Sequence, residues 1–148
     1  MRNNLIPFDD ISGIKGQVVG IGTDICQISR IAALYRRFGE HFLKRVYAPQ
    51  EQALFHTVPH AQQMAFLAKR FAAKEACVKA LGTGFGQYAF MQEICVISSA
   101  TGQPEIMLSG ITLANCQKKI NNHIPQWHLS LSDDQDYALA FCVFSAIS

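Results

Sequence analysis

The sequence predicts an α+β fold, a single mixed domain with one long helix packed on an antiparallel sheet, and three observations predict it. Residues 60–81 contain no Pro or Gly, are rich in Ala, Lys, Leu and Gln, and meet Gly82 at their end, which reads as one long helix. Residues 127–132 alternate strictly, with Trp127, Leu129 and Leu131 on one face of a strand and His128, Ser130 and Ser132 on the other. The acidic turn at 133–136 then leads into residues 137–145, apolar on both faces and therefore a central strand.

The remaining elements follow in chain order. Residues 1–16 are polar and mixed and read as an N-terminal extension outside the domain, which spans 17–148. A β-branched, glycine-bounded run at 17–22 is a strand that ends at Thr23-Asp24-Ile25, placing Asp24 at a strand exit. Ser29 can cap a helix over 30–38 that Gly39 stops. A short helix follows at 41–46, and Pro49 and Pro59 each sit in the first turn of a further helical segment. On the long helix, Met64, Leu67, Phe71 and Val78 form an apolar stripe, with Ala68, Ala72, Glu75 and Lys79 along its edge. Strands at 93–98 and 105–108 flank a turn at 100–104, and 111–120 is an amphipathic helix closed by Asn121-Asn122. No internal repeat interrupts this order, so one domain suffices.

Composition narrows the function classes. Of 148 residues 49% are hydrophobic, which excludes disorder of the whole, while only 16% are charged against a usual value of about 25%. So few charges suit a chain partly covered by another subunit. A net charge of +2 is too small for a protein that coats a nucleic-acid backbone. The charge is uneven, with nine basic residues against three acids between Arg30 and Lys79, a net of +6 that leaves −4 elsewhere. That segment is either a set of solvated helix faces or a surface for a phosphate-bearing ligand or an acidic protein. The five cysteines stand singly, as buried thiols of a reducing compartment do. The N-terminus lacks the apolar core of a signal peptide, and the longest apolar run, 137–144, is far short of the ~18 residues of a membrane span. A cytoplasmic protein with neither nucleic acid nor membrane as partner is expected.

Several patterns that invite chemistry have plainer readings. The glycines of Gly82-Thr83-Gly84-Phe85-Gly86 follow a helix, whereas phosphate-cradling loops precede one, so they read as a helix stop and turn. His56 and His60 have metal-like spacing, but Val58-Pro59 breaks the helical face they would need. Ser130 and Ser132 sit in no nucleophile elbow. Glu75 can be an ion-pair partner of Lys79 or a ligand, and Asp24 a turn former or a ligand.

Three blocks shift this balance: Gly20-Ile21-Gly22-Thr23-Asp24-Ile25, then Phe66 to Ala76 running through Lys79 into Gly82-Thr83-Gly84, and His128-Leu129-Ser130-Leu131-Ser132. In order and approximate spacing they resemble the signature segments of the holo-acyl-carrier-protein synthases, the small 4′-phosphopantetheinyl transferases, and the resemblance covers residues 17–145. It implies transfer of the phosphopantetheine arm of coenzyme A to a serine of apo acyl carrier protein, with release of adenosine 3′,5′-bisphosphate, in fatty acid biosynthesis. It further implies a homotrimer whose sites lie between neighbouring subunits. By the same resemblance Asp24 and Glu75 are ligands of Mg²⁺, and Glu75 or a metal-bound water takes the serine proton. Lys79 neutralises the pyrophosphate, Arg70 and His128 hold the 3′-phosphate end of coenzyme A, and Arg30 meets the acidic helix of the carrier protein. Ala68 and Ala72 would leave the helix edge open for coenzyme A. Gln27 and Gln103 depart from the family pattern, which has an acid at the first position and a base at the second. A non-catalytic module that keeps the fold to bind carrier proteins is the alternative, against which Asp24, Glu75 and Lys79 stand intact.

Overall fold

Two glycines set the distance between the layers. A Cβ on Gly20 would collide with the carbonyl oxygen of Ala80, and one on Gly22 with that of Ala76, so only glycine lets the long helix lie directly on the first strand. The computed structural model describes residues 16–148, and the expected N-terminal extension lies outside the described residues except for Gly16, which opens that strand.

The order is β1 (Gly16–Gln27), α1 (Ile28–Phe38), α2 (Glu40–Val46), α3 (Pro49–Phe55), α4 (Gln63–Leu81), β2 (Ile94–Ser98), β3 (Pro104–Leu108), α5 (Gly110–Lys119), β4 (Ile124–Asp134) and β5 (Tyr137–Ile147). Strands β1, β5 and β4 form a three-stranded antiparallel sheet in that order, and β2 and β3 form an antiparallel hairpin. The expected mixed α+β architecture, with the long helix on an antiparallel sheet and the last strand central, is present.

Some local expectations are corrected. Asp24 lies within β1 and not at its exit, because β5 continues the ladder to the pair Gln27–Tyr137. Ser29 does not cap α1, which begins at Ile28. The amide of Ile28 instead donates to the carbonyl of Asp136 at 2.8 Å, so the β4–β5 turn supplies the acceptor that a cap would have given. The long helix opens with a 3₁₀ turn, His60–Gln62, held by the Gln62 amide on the Pro59 carbonyl at 2.8 Å, and is α-helical from Gln63. Gly39 and Gly82 stop their helices at φ 53° and 80°, where glycine carries no Cβ penalty.

Helix α4 is enclosed and not amphipathic. Leu67 and Val78 are buried as expected, but so are Ala68 and Ala72, which contradicts the open helix edge predicted for them. Their small side chains bring the helix close to a sheet face of buried Ala138, Ala140 and Cys142. On that inner face Trp127 stacks on Phe144, with ring centroids 4.2 Å apart. Cys26, Cys77, Cys95, Cys116 and Cys142 are buried free thiols, as the sequence predicts. Helix α5 has no side-chain cap of its own. Glu93 serves it from outside, accepting from the Thr112 amide and hydroxyl, each at 2.7 Å, and from the Ile111 amide at 3.3 Å.

The opposite face of the sheet is bare in the single chain. Ile21, Ile25, Leu139 and Phe141 are 62%, 63%, 42% and 44% exposed, and the register sets them side by side, Ile21 opposite Val143 and Ile25 opposite Leu139. Strand β4 adds His128, Ser130 and Ser132 to this face, opposite Val143, Phe141 and Leu139.

Candidate active site

Alternation along β1 aims Gly20, Gly22, Asp24 and Cys26 at α4, so the glycines that admit the helix also bring the Asp24 carboxylate against it. Lys79 closes this contact. Its ammonium donates to the Thr23 carbonyl at 2.8 Å and to Asp24 Oδ1 at 3.2 Å. Glu75 lies one helical turn earlier, half-buried. Burial, and then the negative charge of Asp24, push its carboxyl above the ordinary value, against the opposing pull of Lys79 and Arg30. The Cys26 thiol is raised for the same reasons, by burial first and Asp24 next. Asp24, Glu75, Lys79 and Arg30 therefore share one electrostatic neighbourhood where β1 and α1 meet α4. Asp24 sits in the strand ladder and not in a turn, and its carboxylate takes the bond from Lys79.

Arg70 stands elsewhere. Only 7% exposed, it donates from Nε to the Val96 carbonyl at 3.2 Å and lies over the Phe66 ring at 3.6 Å. It lines a cleft of about 540 Å³ with Thr57, Pro59, Lys69 and Asp133, where Lys69 and Asp133 pair at 2.9 Å. His128 is exposed on the outer sheet face, in a groove of about 390 Å³ that also holds Gln103, Pro104 and Ile106. Ile106 pairs with Val96 in the β2–β3 hairpin, so Arg70 and His128 flank the same two strands, while the carboxylates sit at the β1–α4 contact. Gln103 and His128 share one groove. Gln27 ends β1 and makes no cap hydrogen bond to α1.

A larger cleft of about 750 Å³ runs between α2 and the loop after α4, lined by His41, Lys44, Arg45, Phe85, Gly86 and Phe90, and Asp24, Arg30, Arg70, Glu75, Lys79 and His128 are not among its lining residues. The loop glycines Gly84 and Gly86 have φ of 72° and 118°, in keeping with a turn. His56 and His60 are exposed, His56 lying 3.8 Å from Glu40, and among the described residues no group of three or more His, Cys, Asp or Glu is placed to hold a metal ion.

Sequence reasoning missed a buried ion pair. Lys74 and Glu51 are both 0% exposed and meet at 2.5 Å. Lys74 also donates to the carbonyls of Met91, at 3.0 Å, and Ile94. Glu51 accepts from the amides of Ala48, at 2.8 Å, and Val96, at 3.2 Å. Burial pulls the Lys74 ammonium below the ordinary lysine value, against the stabilising charge of Glu51. The signal was available: Lys74 is seven residues from both Leu67 and Leu81 and falls on their buried stripe.

With this geometry in view, the family model of the 4′-phosphopantetheinyl transferase superfamily matches residues 20–142, and the chain belongs to that superfamily. It is similar to the holo-[acyl-carrier-protein] synthase of Hydrogenovibrio crunogenus, 45% identical over 85% of this chain and 95% of that protein. Among solved structures it is similar to the holo-[acyl-carrier-protein] synthase of Neisseria meningitidis, with a TM-score of 0.77 and 36% identity over 86% of this chain and 98% of the other. The Bacillus anthracis synthase in complex with CoA (3′,5′-ADP) superposes with a TM-score of 0.71 and 31% identity over 87% and 97%. Among the described residues no helix is long and apolar enough to cross a membrane.

Proposed function

We propose that this chain is a holo-acyl-carrier-protein synthase, transferring the 4′-phosphopantetheine group of coenzyme A to a serine of apo acyl carrier protein and releasing adenosine 3′,5′-bisphosphate. The observation that carries the reading is the gathering of Asp24, Glu75 and Lys79 at one β1–α4 contact in a chain with this family membership. Attack on the β-phosphorus builds negative charge on phosphoryl oxygens and frees a phosphate leaving group. Lys79, exposed enough to turn from Asp24, offers its ammonium to the pyrophosphate. Glu75, directly or through a water, takes the serine proton.

The two carboxylates also suit Mg²⁺. Asp24 disfavours ionisation of Glu75, a repulsion that a cation relieves, and Mg²⁺ is commonly held by one or two carboxylates together with substrate oxygens and waters. Asp24 and Glu75 would hold it, and when bound it neutralises charge developing on the transferred phosphoryl group. Arg70 and His128 receive the 3′-phosphate end of coenzyme A, for which a guanidinium fork is well shaped. Arg30 with the exposed Arg36, Arg37, Lys44 and Arg45 forms the basic side of α1 and α2 that meets the acidic carrier protein. The reaction belongs to fatty acid biosynthesis in the cytoplasm.

The assembly is a homotrimer. In support, the outer sheet face is apolar and exposed, His128 lies on it, and Arg70 and His128 stand apart from the carboxylates. A neighbour's copy therefore completes each site. Subunit mixing tests this reading. Glu75→Ala and Arg70→Ala, each far below wild-type activity at low coenzyme A, should regain transfer once their subunits exchange, because some interfaces then join two intact halves. A monomer by light scattering with full activity, or exchanged mixtures that recover nothing, would contradict the shared site.

A further inference from the structure

We infer that the buried Glu51–Lys74 pair is a positioning device for Arg70, acting through the backbone of Val96, and so helps set the preference for coenzyme A over its 3′-dephospho form. Glu51 Oε2 accepts the Val96 amide at 3.2 Å, and the carbonyl of the same residue accepts Arg70 Nε at 3.2 Å. One residue of β2 is thus held at both its amide and its carbonyl. Lys74 fixes the start of that strand through the carbonyls of Met91 and Ile94, and Ala48 anchors Glu51 to the head of α3. The Phe66 ring supports a face of the guanidinium. Among the described residues the remaining Arg70 donors make no hydrogen bond to the chain, and the cleft beside them carries Lys69 as well.

A guanidinium selects phosphate by a fork of fixed direction, so its usefulness depends on where its stem is held, and a misplacement of ~1 Å can cost about 100-fold. Two fully buried charges are a costly way to fasten a strand, since apolar replacement of such pairs is often neutral or stabilising. Here the pair's hydrogen bonds run to backbone groups of β2 and the turn before it, among them the Val96 amide beside the Arg70 anchor, which an apolar pair could not hold.

The inference rests on Arg70 binding the 3′-phosphate, and the test separates the two. Steady-state KM is measured for coenzyme A and for 3′-dephospho-coenzyme A. Arg70→Ala is expected to raise KM for coenzyme A alone, erasing the preference, and equal losses on both substrates would remove the reading of Arg70 and the inference with it. The neutral double variant E51L/K74M should lose about tenfold in the preference, with little change for the dephospho substrate. E51Q/K74M, whose amide oxygen can still accept from Val96, should regain most of it. Should E51L/K74M fail to fold, E51D decides, since it keeps the charge pair but draws the carboxylate from Val96, and about a threefold loss is expected. Loss of preference in Arg70→Ala together with wild-type preference in folded E51L/K74M or E51D would show that the pair is only structural. Equal losses in E51L/K74M and E51Q/K74M would show that the Val96 contact is not the route.

Discussion

Alanine at Asp24 or at Glu75 is expected to reduce transfer by about three orders of magnitude while leaving the fold at least as stable. The loss corresponds to roughly 4 kcal/mol of transition-state stabilisation, each ~1.4 kcal/mol being a factor of ten, and several kcal/mol is what a bound cation contributes at a phosphoryl group. Stability is spared because the two carboxylates repel each other and sit at the edge of the β1–α4 contact, neither of them fully buried. Asp24→Ala leaves Lys79 its bond to the Thr23 carbonyl. Initial rates across a Mg²⁺ titration, beside thermal unfolding, check both halves. Wild-type turnover at limiting Mg²⁺ in either variant would overturn the assignment of the carboxylates.

The largest effect on stability is expected at Lys74. Lys74→Ala leaves the Glu51 carboxylate without its cation at a fully buried position, and the carbonyls of Met91 and Ile94 without their donor. Breaking a buried pair from one side costs about 3–5 kcal/mol, a large share of the ~5–15 kcal/mol that hold a domain together. Urea unfolding should show a midpoint far below wild type. Lys79→Ala, on the next turn and half-exposed, is expected to cost less than about 1 kcal/mol of stability and so to move the midpoint little, as exposed pairs do. Equal midpoints for Lys74→Ala and Lys79→Ala would show that the internal pair carries no such load.

Much of this architecture was legible because its causes are local. The alternation from Trp127 to Ser132, the Pro- and Gly-free run ending at Gly82 and the apolar last strand each encode an element through periodicity alone. What escaped depended on distant residues. The start of α1 rests on the carbonyl of Asp136, more than a hundred residues away, so Ser29 was the wrong cap to read. Gly20 and Gly22 resemble strand boundaries until α4 is laid on them. Ala68 and Ala72 looked like an open edge because a wheel shows one helix and not the sheet over it. The candidate site was legible in part. Spacing placed Glu75 and Lys79 on one helix face, but only the resemblance joined them to Asp24, and the structure brings Asp24 and Lys79 to 3.2 Å. Lys74, counted in the basic segment as a surface charge, is internal, and its place on the Leu67–Leu81 stripe was the overlooked sign.

The most direct test is the intact mass of an apo acyl carrier protein after incubation with this chain, coenzyme A and Mg²⁺. The carrier protein should gain the mass of one phosphopantetheine group, only when all three are present, with adenosine 3′,5′-bisphosphate released in equal amount. An unchanged carrier mass beside intact coenzyme A would leave a binding module of this fold, and coenzyme A cleaved without carrier protein would make the chain a hydrolase. Either result would contradict the transferase.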